Sequence, residues 1–97
     1  MAVQRGERLF ASQEVGCRRC HAGDKLTDNR SVDVGTGAVL QVPSLRALAY
    51  RAPFMHNGCA ATLRDRFQPG CGGARHGDVS GLSDQQVDDL VAYLQTL

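Results

Sequence analysis

The sequence predicts a small all-α domain with one hydrophobic core. Its 97 residues are the length of a single domain, so residues 1–97 are assigned to one unit. Apolar residues recur at helical spacing near both ends of the chain, and turn-forming residues dominate the middle. A core of this size is small, so the fold would gain stability from a covalent staple.

The clearest predicted element is the C-terminal helix. Residues 83–86, Ser-Asp-Gln-Gln, have the capping-box pattern S-x-x-Q. The apolar residues that follow recur at i, i+3, i+4 and i+7, which forms one stripe: Val87, Leu90, Val91 and Leu94. Tyr93 lies at the edge of this stripe. The pattern therefore predicts a helix that buries one face.

The spacing of apolar residues in segment 3–12 predicts a shorter amphipathic helix at the N-terminus. Val3, Gly6, Leu9 and Phe10 fall near one face of it. A glycine inside a helix costs about 1 kcal/mol relative to alanine. We therefore expect Gly6 to permit the close approach of another helix.

The middle of the chain is predicted to be mostly irregular. Residues 22–37 are rich in turn-forming residues, and residues 38–42 form a brief extended segment that ends at Pro43. Two short helices are expected at residues 45–49 and 63–67, each preceded by a capping residue, Ser44 and Thr62.

Composition excludes several classes of function. The net charge is +1, and acidic and basic residues are interspersed along the chain, which argues against a nucleic-acid partner. No apolar run approaches the roughly 18 residues of a membrane span. The first residues, Met1 to Arg5, do not have the pattern of a signal peptide. We expect a mature form or an excised domain.

One pentapeptide, Cys17-Arg18-Arg19-Cys20-His21, has the pattern C-x-x-C-H that attaches a c-type haem. Cys17 and Cys20 would bind two vinyl groups on one porphyrin edge, and His21 would be the proximal iron ligand. A redox dithiol is one alternative, but it requires a βαβ unit that the pattern does not predict. A zinc site of Cys17, Cys20, Cys59 and Cys71 is another alternative, although its second pair lacks the usual C-x₂₋₄-C spacing.

The remaining cysteines are expected to form a disulfide. Four cysteines fit an oxidising compartment, and haem attachment uses two of them. A bridge between Cys59 and Cys71 would contribute about 2–4 kcal/mol; the alternative is two free thiols. A c-type haem also indicates a periplasmic or otherwise extracytoplasmic location.

Several motifs in sequence order resemble a class I cytochrome c. More specifically, they resemble the C-terminal haem domain of bacterial di-haem cytochrome c peroxidases and the methylamine-utilisation enzymes. The motifs are residues 6–10 (GERLF), 17–21 (CRRCH), 27–29 (TDN), 42–46 (VPSLR), 52–58 (APFMHNG), 61–63 (ATL) and 90–94 (LVAYL). The resemblance implies an all-α, class I cytochrome c-like domain around one covalent haem. It also implies that the terminal helices cross near Gly6, Phe10 and Tyr93.

The resemblance leaves the second axial ligand of the iron open. Peroxidases of this type hold two haems, whereas this chain has one haem motif, and their usual ligand position corresponds to Gly70. In class I cytochromes the distal ligand lies on the loop before the terminal helix, which favours His76. Met55 is the alternative, because methionine is a common ligand in electron-transfer haems. His56 or an open site are the remaining alternatives, and Arg46 is a candidate contact for a haem propionate.

These features predict electron transfer by one haem that cycles between Fe(III) and Fe(II). The expected partners are redox proteins, which would dock near Arg18, Arg19 and Lys25, and the chain would be a monomer or a domain of a larger chain. A haem domain of a di-haem peroxidase or oxidase is an alternative. A haem-based gas or redox sensor is another.

Overall fold

The computed structural model describes residues 1–34, 37–55, 58–67, 71 and 76–97. Within these ranges, the regular elements are helix α1 (Ala2–Ala11), strand β1 (Ser31–Asp33), strand β2 (Val39–Gln41) and helix α2 (Asp84–Leu94). Short 3₁₀ helices lie at Cys17–Arg19, Leu48–Tyr50 and Arg64–Phe67. None of the helices in the described part of the chain has the length and apolar character needed to cross a membrane.

The two α-helices pack directly against each other and form the centre of the fold. The rings of Phe10 on α1 and Tyr93 on α2 lie 5.3 Å apart between centroids, at an interplanar angle of 58°. Gly6 is buried at the same crossing. The core around them consists of Phe10, Val15, Leu63, Val79, Leu90, Tyr93 and Leu94. The predicted crossing near Gly6, Phe10 and Tyr93 is therefore confirmed.

The predicted capping box of the C-terminal helix is also confirmed. Ser83 Oγ accepts a hydrogen bond from the backbone N–H of Gln86 at 3.2 Å. The Gln86 side chain in turn accepts from the backbone N–H of Ser83 at 2.9 Å. Two backbone donors that the helix leaves free are thus satisfied, which defines where α2 begins.

The prediction of an all-α fold is wrong in one respect, because the chain also contains a small sheet. Strands β1 and β2 pair antiparallel, with Val32 opposite Leu40 at the centre of the register. The extended segment at residues 38–42 was predicted, whereas residues 31–33 were assigned to a loop. Three-residue strands are too short for a clear alternation of polar and apolar residues, so backbone pairing across the turn decides their conformation.

The helix expected at residues 45–49 forms later, at Leu48–Tyr50. Ser44 does not cap it, because the N-cap residue of this helix is Ala47; the Ser44 hydroxyl donates to the Lys25 carbonyl at 2.5 Å and accepts from the Arg46 N–H at 3.2 Å. This long-range bond ties the segment to the loop after the C-x-x-C-H motif. The capping prediction at Ser44 is therefore wrong.

The helix expected at residues 63–67 is present as the Arg64–Phe67 3₁₀ helix. Thr62 Oγ1 accepts from the backbone N–H of Asp65 at 3.3 Å, and the Asp65 carboxylate accepts from the N–H of Thr62 at 3.2 Å. This reciprocal pair starts the helix as predicted. The helix contains Arg66 and precedes the segment that carries His76.

Candidate metal centre

The C-x-x-C-H motif lies in a tight turn after α1. Cys17–Arg19 form a single 3₁₀ turn, and the backbone N–H of His21 donates to the carbonyl of Cys17 at 3.0 Å. The thiols of Cys17 and Cys20 are not bonded to each other. The turn therefore keeps two separate thiols and one imidazole within a few residues, as haem attachment requires.

His21 is oriented by a backbone hydrogen bond. It is 8% exposed, and its Nδ1 lies 3.0 Å from the carbonyl oxygen of Leu26. Because a carbonyl only accepts, Nδ1 carries the proton, and Nε2 keeps a lone pair for a metal. Burial lowers the pKa of His21, with the charge of Arg66 also acting in this direction. A neutral, oriented imidazole is the form that binds iron.

His76 lies opposite His21. The centroids of the two rings are 6.3 Å apart, at an interplanar angle of 52°. Among the described residues, Nδ1 of His76 is buried and has no hydrogen-bond partner. Burial lowers the pKa of His76 to about 3, and the neighbouring charges of Arg66 and His21 add to this effect. A neutral imidazole with a buried, unsatisfied nitrogen has the chemistry of a metal ligand.

The separation of the two rings fits one metal ion between them. A metal–imidazole bond is about 2 Å, and a ring centre lies about 1 Å beyond the bonding nitrogen, so two imidazoles across one ion have centroids about 6 Å apart. The observed 6.3 Å agrees with this value. The residues present therefore fit a haem iron held by His21 and His76, with Cys17 and Cys20 attaching the porphyrin.

Met55, the alternative ligand, lies in a tight turn. The flanking residues Phe54 and Ala60 form an isolated antiparallel bridge, and Met55 itself has a positive φ of 68°. Its backbone carbonyl accepts from the N–H of Gly58 at 3.1 Å. His56, the other alternative, is outside the described residues. The ring that faces His21 is that of His76.

The second pair of cysteines has the geometry of a disulfide. The Sγ atoms of Cys59 and Cys71 lie within bonding distance, and their Cα atoms are 5.9 Å apart. Cys71 is buried, whereas Cys59 is exposed. A zinc site would need both sulfurs as separate thiolates directed at the metal together with Cys17 and Cys20, so this arrangement does not favour it.

The two arginines near the motif differ in their surroundings. Arg46 is exposed, and its Nε donates to the carbonyl of Asp24 at 2.9 Å. Arg66, which the sequence reasoning missed, is only 9% exposed. The available signal was its position three residues after Leu63, because side chains at that spacing lie on the same side of a 3₁₀ turn, and Leu63 is also buried.

Comparisons with known proteins identify the family of this chain. A protein-family model, Cytochrome c, matches residues 3–97. The cytochrome-c peroxidase IdrP1 of Denitromonas iodatirespirans is 39% identical over 150 residues, covering 98% of this chain and 40% of that protein. The methylamine utilization protein MauG of Methylorubrum extorquens is 29% identical over 123 residues, covering 98% of this chain and 34% of that protein. These relatives confirm the predicted resemblance.

Solved structures give the same fold. Hydrazine synthase of Kuenenia stuttgartiensis superposes with a TM-score of 0.89 at 24% identity, covering 99% of this chain and 46% of that one. A MauG-like protein associated with microbial copper homeostasis superposes with a TM-score of 0.72 at 26% identity, with the same two coverages. The chain thus spans less than half the length of these relatives. Because the family model covers nearly the whole sequence, the chain belongs to the cytochrome c family.

Proposed function

We propose that this chain transfers single electrons through one covalently attached haem c whose iron is held by His21 and His76. The observation that carries the proposal is the pair of facing imidazoles, with centroids 6.3 Å apart and a buried, unsatisfied nitrogen on His76. When bound, haem c supplies a one-electron Fe(III)/Fe(II) couple. Two permanent protein ligands leave no site for a substrate at the metal, which favours electron transfer over catalysis.

The surroundings of the two histidines support this role. The carbonyl of Leu26 fixes the orientation of the His21 ring, and the Cys59–Cys71 bridge constrains the chain before His76. Both constraints reduce the ligand rearrangement that accompanies a change of iron charge. Little rearrangement favours fast electron exchange with a partner.

The proposed docking surface surrounds the C-x-x-C-H turn. Arg18, Arg19 and Lys25 are exposed there. Arg18 lies over the ring of Phe10 at 5.6 Å, and Arg19 donates to the carbonyl of Gln13 at 2.7 Å, so both side chains are held near the motif. Exposed cations steer an acidic redox partner toward this edge. A periplasmic or other extracytoplasmic location is part of the proposal.

Absorption spectra of the oxidised and reduced holoprotein test the ligand pair. The wild type is expected to be low-spin in both states and not to bind carbon monoxide at neutral pH. His76→Ala is expected to give a high-spin haem that binds carbon monoxide. Met55→Ala is the matched control and is expected to leave the spectrum unchanged. A low-spin His76→Ala protein together with a high-spin Met55→Ala protein would overturn the assignment to His76.

The relatives favour a second candidate, a haem domain within a di-haem enzyme. The chain covers 40% of a cytochrome-c peroxidase and 34% of the MauG protein. In that case the His21–His76 haem would pass electrons to a second haem that reacts with substrate. Stoichiometric peroxide tests whether the haem of this chain reacts itself: a rapid Soret change in this chain alone would favour an enzyme, whereas an unchanged spectrum would leave it an electron carrier, either alone or beside a second haem.

A further inference from the structure

Arg66 is a buried cation beside the candidate metal centre. Arg66 is 9% exposed, and its Nη1 has no hydrogen-bond partner among the described residues. One face of the guanidinium lies against the ring of Phe67, 4.9 Å from the centroid. The aromatic ring provides a cation–π contact, but it accepts no directed hydrogen bond from Nη1.

The guanidinium lies next to the residues that would hold the haem. A methyl group added at Gly77 would be 3.8 Å from Arg66 Nη2, 4.0 Å from Cys17 Sγ and 2.9 Å from the carbonyl oxygen of Val15. Gly77 directly follows His76, and its φ of +72° is one that glycine adopts readily. The charge of Arg66 also acts to lower the pKa values of His21, His76 and Cys17. The charge thus lies near the haem-attachment residue Cys17 and the residue that follows His76.

The chain supplies no carboxylate for this cation. Three other arginines have one: Arg5 pairs with Asp89, Arg30 with Asp28, and Arg64 with Asp84 and Asp88. No carboxylate acts on the pKa of Arg66. Burial lowers this pKa to about 10, and Cys17 raises it. The residues outside the described ranges include no aspartate or glutamate. Because a buried unpaired charge is costly, an anion from outside the chain would complete the site.

We propose that Arg66 is the anion-binding residue of the haem pocket, and that its guanidinium donates charge-assisted hydrogen bonds to a carboxylate there. The inference rests on the haem of the proposed function. A propionate of that haem is one source of the carboxylate, and a free carboxylate anion from solution is the other. Arg46, the candidate from sequence, already donates to the Asp24 carbonyl at the surface. Arg66 is buried, and its Nη1 has no hydrogen-bond partner in the part of the chain that the structure describes.

The reduction potential of the holoprotein provides the test. A cation near the iron disfavours Fe(III), so Arg66→Gln is expected to lower the midpoint potential at pH 7, and Arg66→Lys is expected to restore most of the change. Arg64→Gln, which removes a neighbouring exposed cation, is the matched control and is expected to have a much smaller effect. If Arg66→Gln does not accumulate as holoprotein, Arg66→Leu replaces it, since an apolar side chain leaves no buried polar group unpaired.

Two further measurements identify the source of the carboxylate. If it is a propionate, the propionate bending bands in the resonance Raman spectrum shift in Arg66→Gln, and sodium acetate at constant ionic strength leaves the wild-type potential unchanged. If it is a free anion, acetate shifts the wild-type potential and Arg66→Gln abolishes this response. Equal potentials for wild type, Arg66→Gln and Arg64→Gln, with no acetate response, would overturn the inference. A low-spin spectrum in every variant separates this outcome from failure of the His21–His76 ligation.

Discussion

Gly6 on α1 lies directly against the backbone of Asp89 on α2. A Cβ atom built on Gly6 would be 2.0 Å from the carbonyl oxygen of Asp89 and 2.8 Å from the Cβ of Tyr93. Both distances are far below normal van der Waals contact, and the nearer atom belongs to the backbone. The two helices can therefore be this close only because residue 6 has no side chain.

The first prediction follows from this crossing. Gly6→Ala should destabilise the protein by about 2 kcal/mol or more, because overpacking outweighs the roughly 1 kcal/mol that alanine gains in a helix. Urea unfolding of the holoprotein measures the change. Gln4→Ala, at an exposed position of the same helix, is the control and should be neutral or slightly stabilising. Equal stability of Gly6→Ala and wild type would contradict the packing.

The second prediction concerns the ion pair beside that crossing. Arg5 Nε and Nη2 donate to the two carboxylate oxygens of Asp89 at 2.9 and 3.2 Å. The hydrogen bond and charge of Arg5 lower the pKa of Asp89 in the folded protein. A lowered pKa means that the pair stabilises the fold above the unfolded-state pKa of about 3.9, and that this contribution is lost as the pH falls through the folded-state value.

The unfolding free energy of wild type and Asp89→Asn, measured as a function of pH, checks this linkage. The wild type should be the more stable protein at pH 7, and the difference should shrink as the solution is acidified below about pH 4. Asp88→Asn removes an exposed partner of Arg64, and its effect should be small and sensitive to salt. A difference for Asp89→Asn that stays constant with pH would contradict the prediction.

The third prediction concerns Cys59 and Cys71. Alkylation of the unreduced, unfolded holoprotein followed by mass spectrometry should modify neither residue. Replacing both by alanine should cost about 2–4 kcal/mol of unfolding free energy, because the bridge restricts the unfolded chain between them. Alkylation of both Cys59 and Cys71 would rule the bridge out.

The fourth prediction concerns the start of α2. Ser83→Ala removes the hydroxyl that accepts from the Gln86 N–H, so it should destabilise the protein by about 1 kcal/mol. Gln85→Ala, at an exposed position in the first turn of the same helix, serves as the comparison and should change stability by less. If the two variants were equally stable, the capping box would contribute little.

Local patterns predicted much of the fold. The capping box at Ser83 and the reciprocal cap at Thr62 depend on residues only three positions apart, so the chain itself carries the information. The missed strand at residues 31–33 and the shifted helix at Leu48–Tyr50 depend on distant partners. Val32 becomes a strand residue because it pairs with Leu40, and the Ser44 hydroxyl bonds to the carbonyl of Lys25, 19 residues away. Patterns within a segment contain no record of such partners.

The sequence by itself determined the C-x-x-C-H motif and the cytochrome c resemblance, because both are defined by spacing along the chain. It also predicted the terminal helices and the role of Gly6 between them. The resemblance favoured His76 as the distal ligand, but only the tertiary structure showed its ring facing that of His21 and Arg66 buried beside them, because these relationships join segments that are far apart in sequence. The physical reason is that burial and unsatisfied hydrogen-bonding groups are properties of packed neighbours, which exist only after the chain has folded.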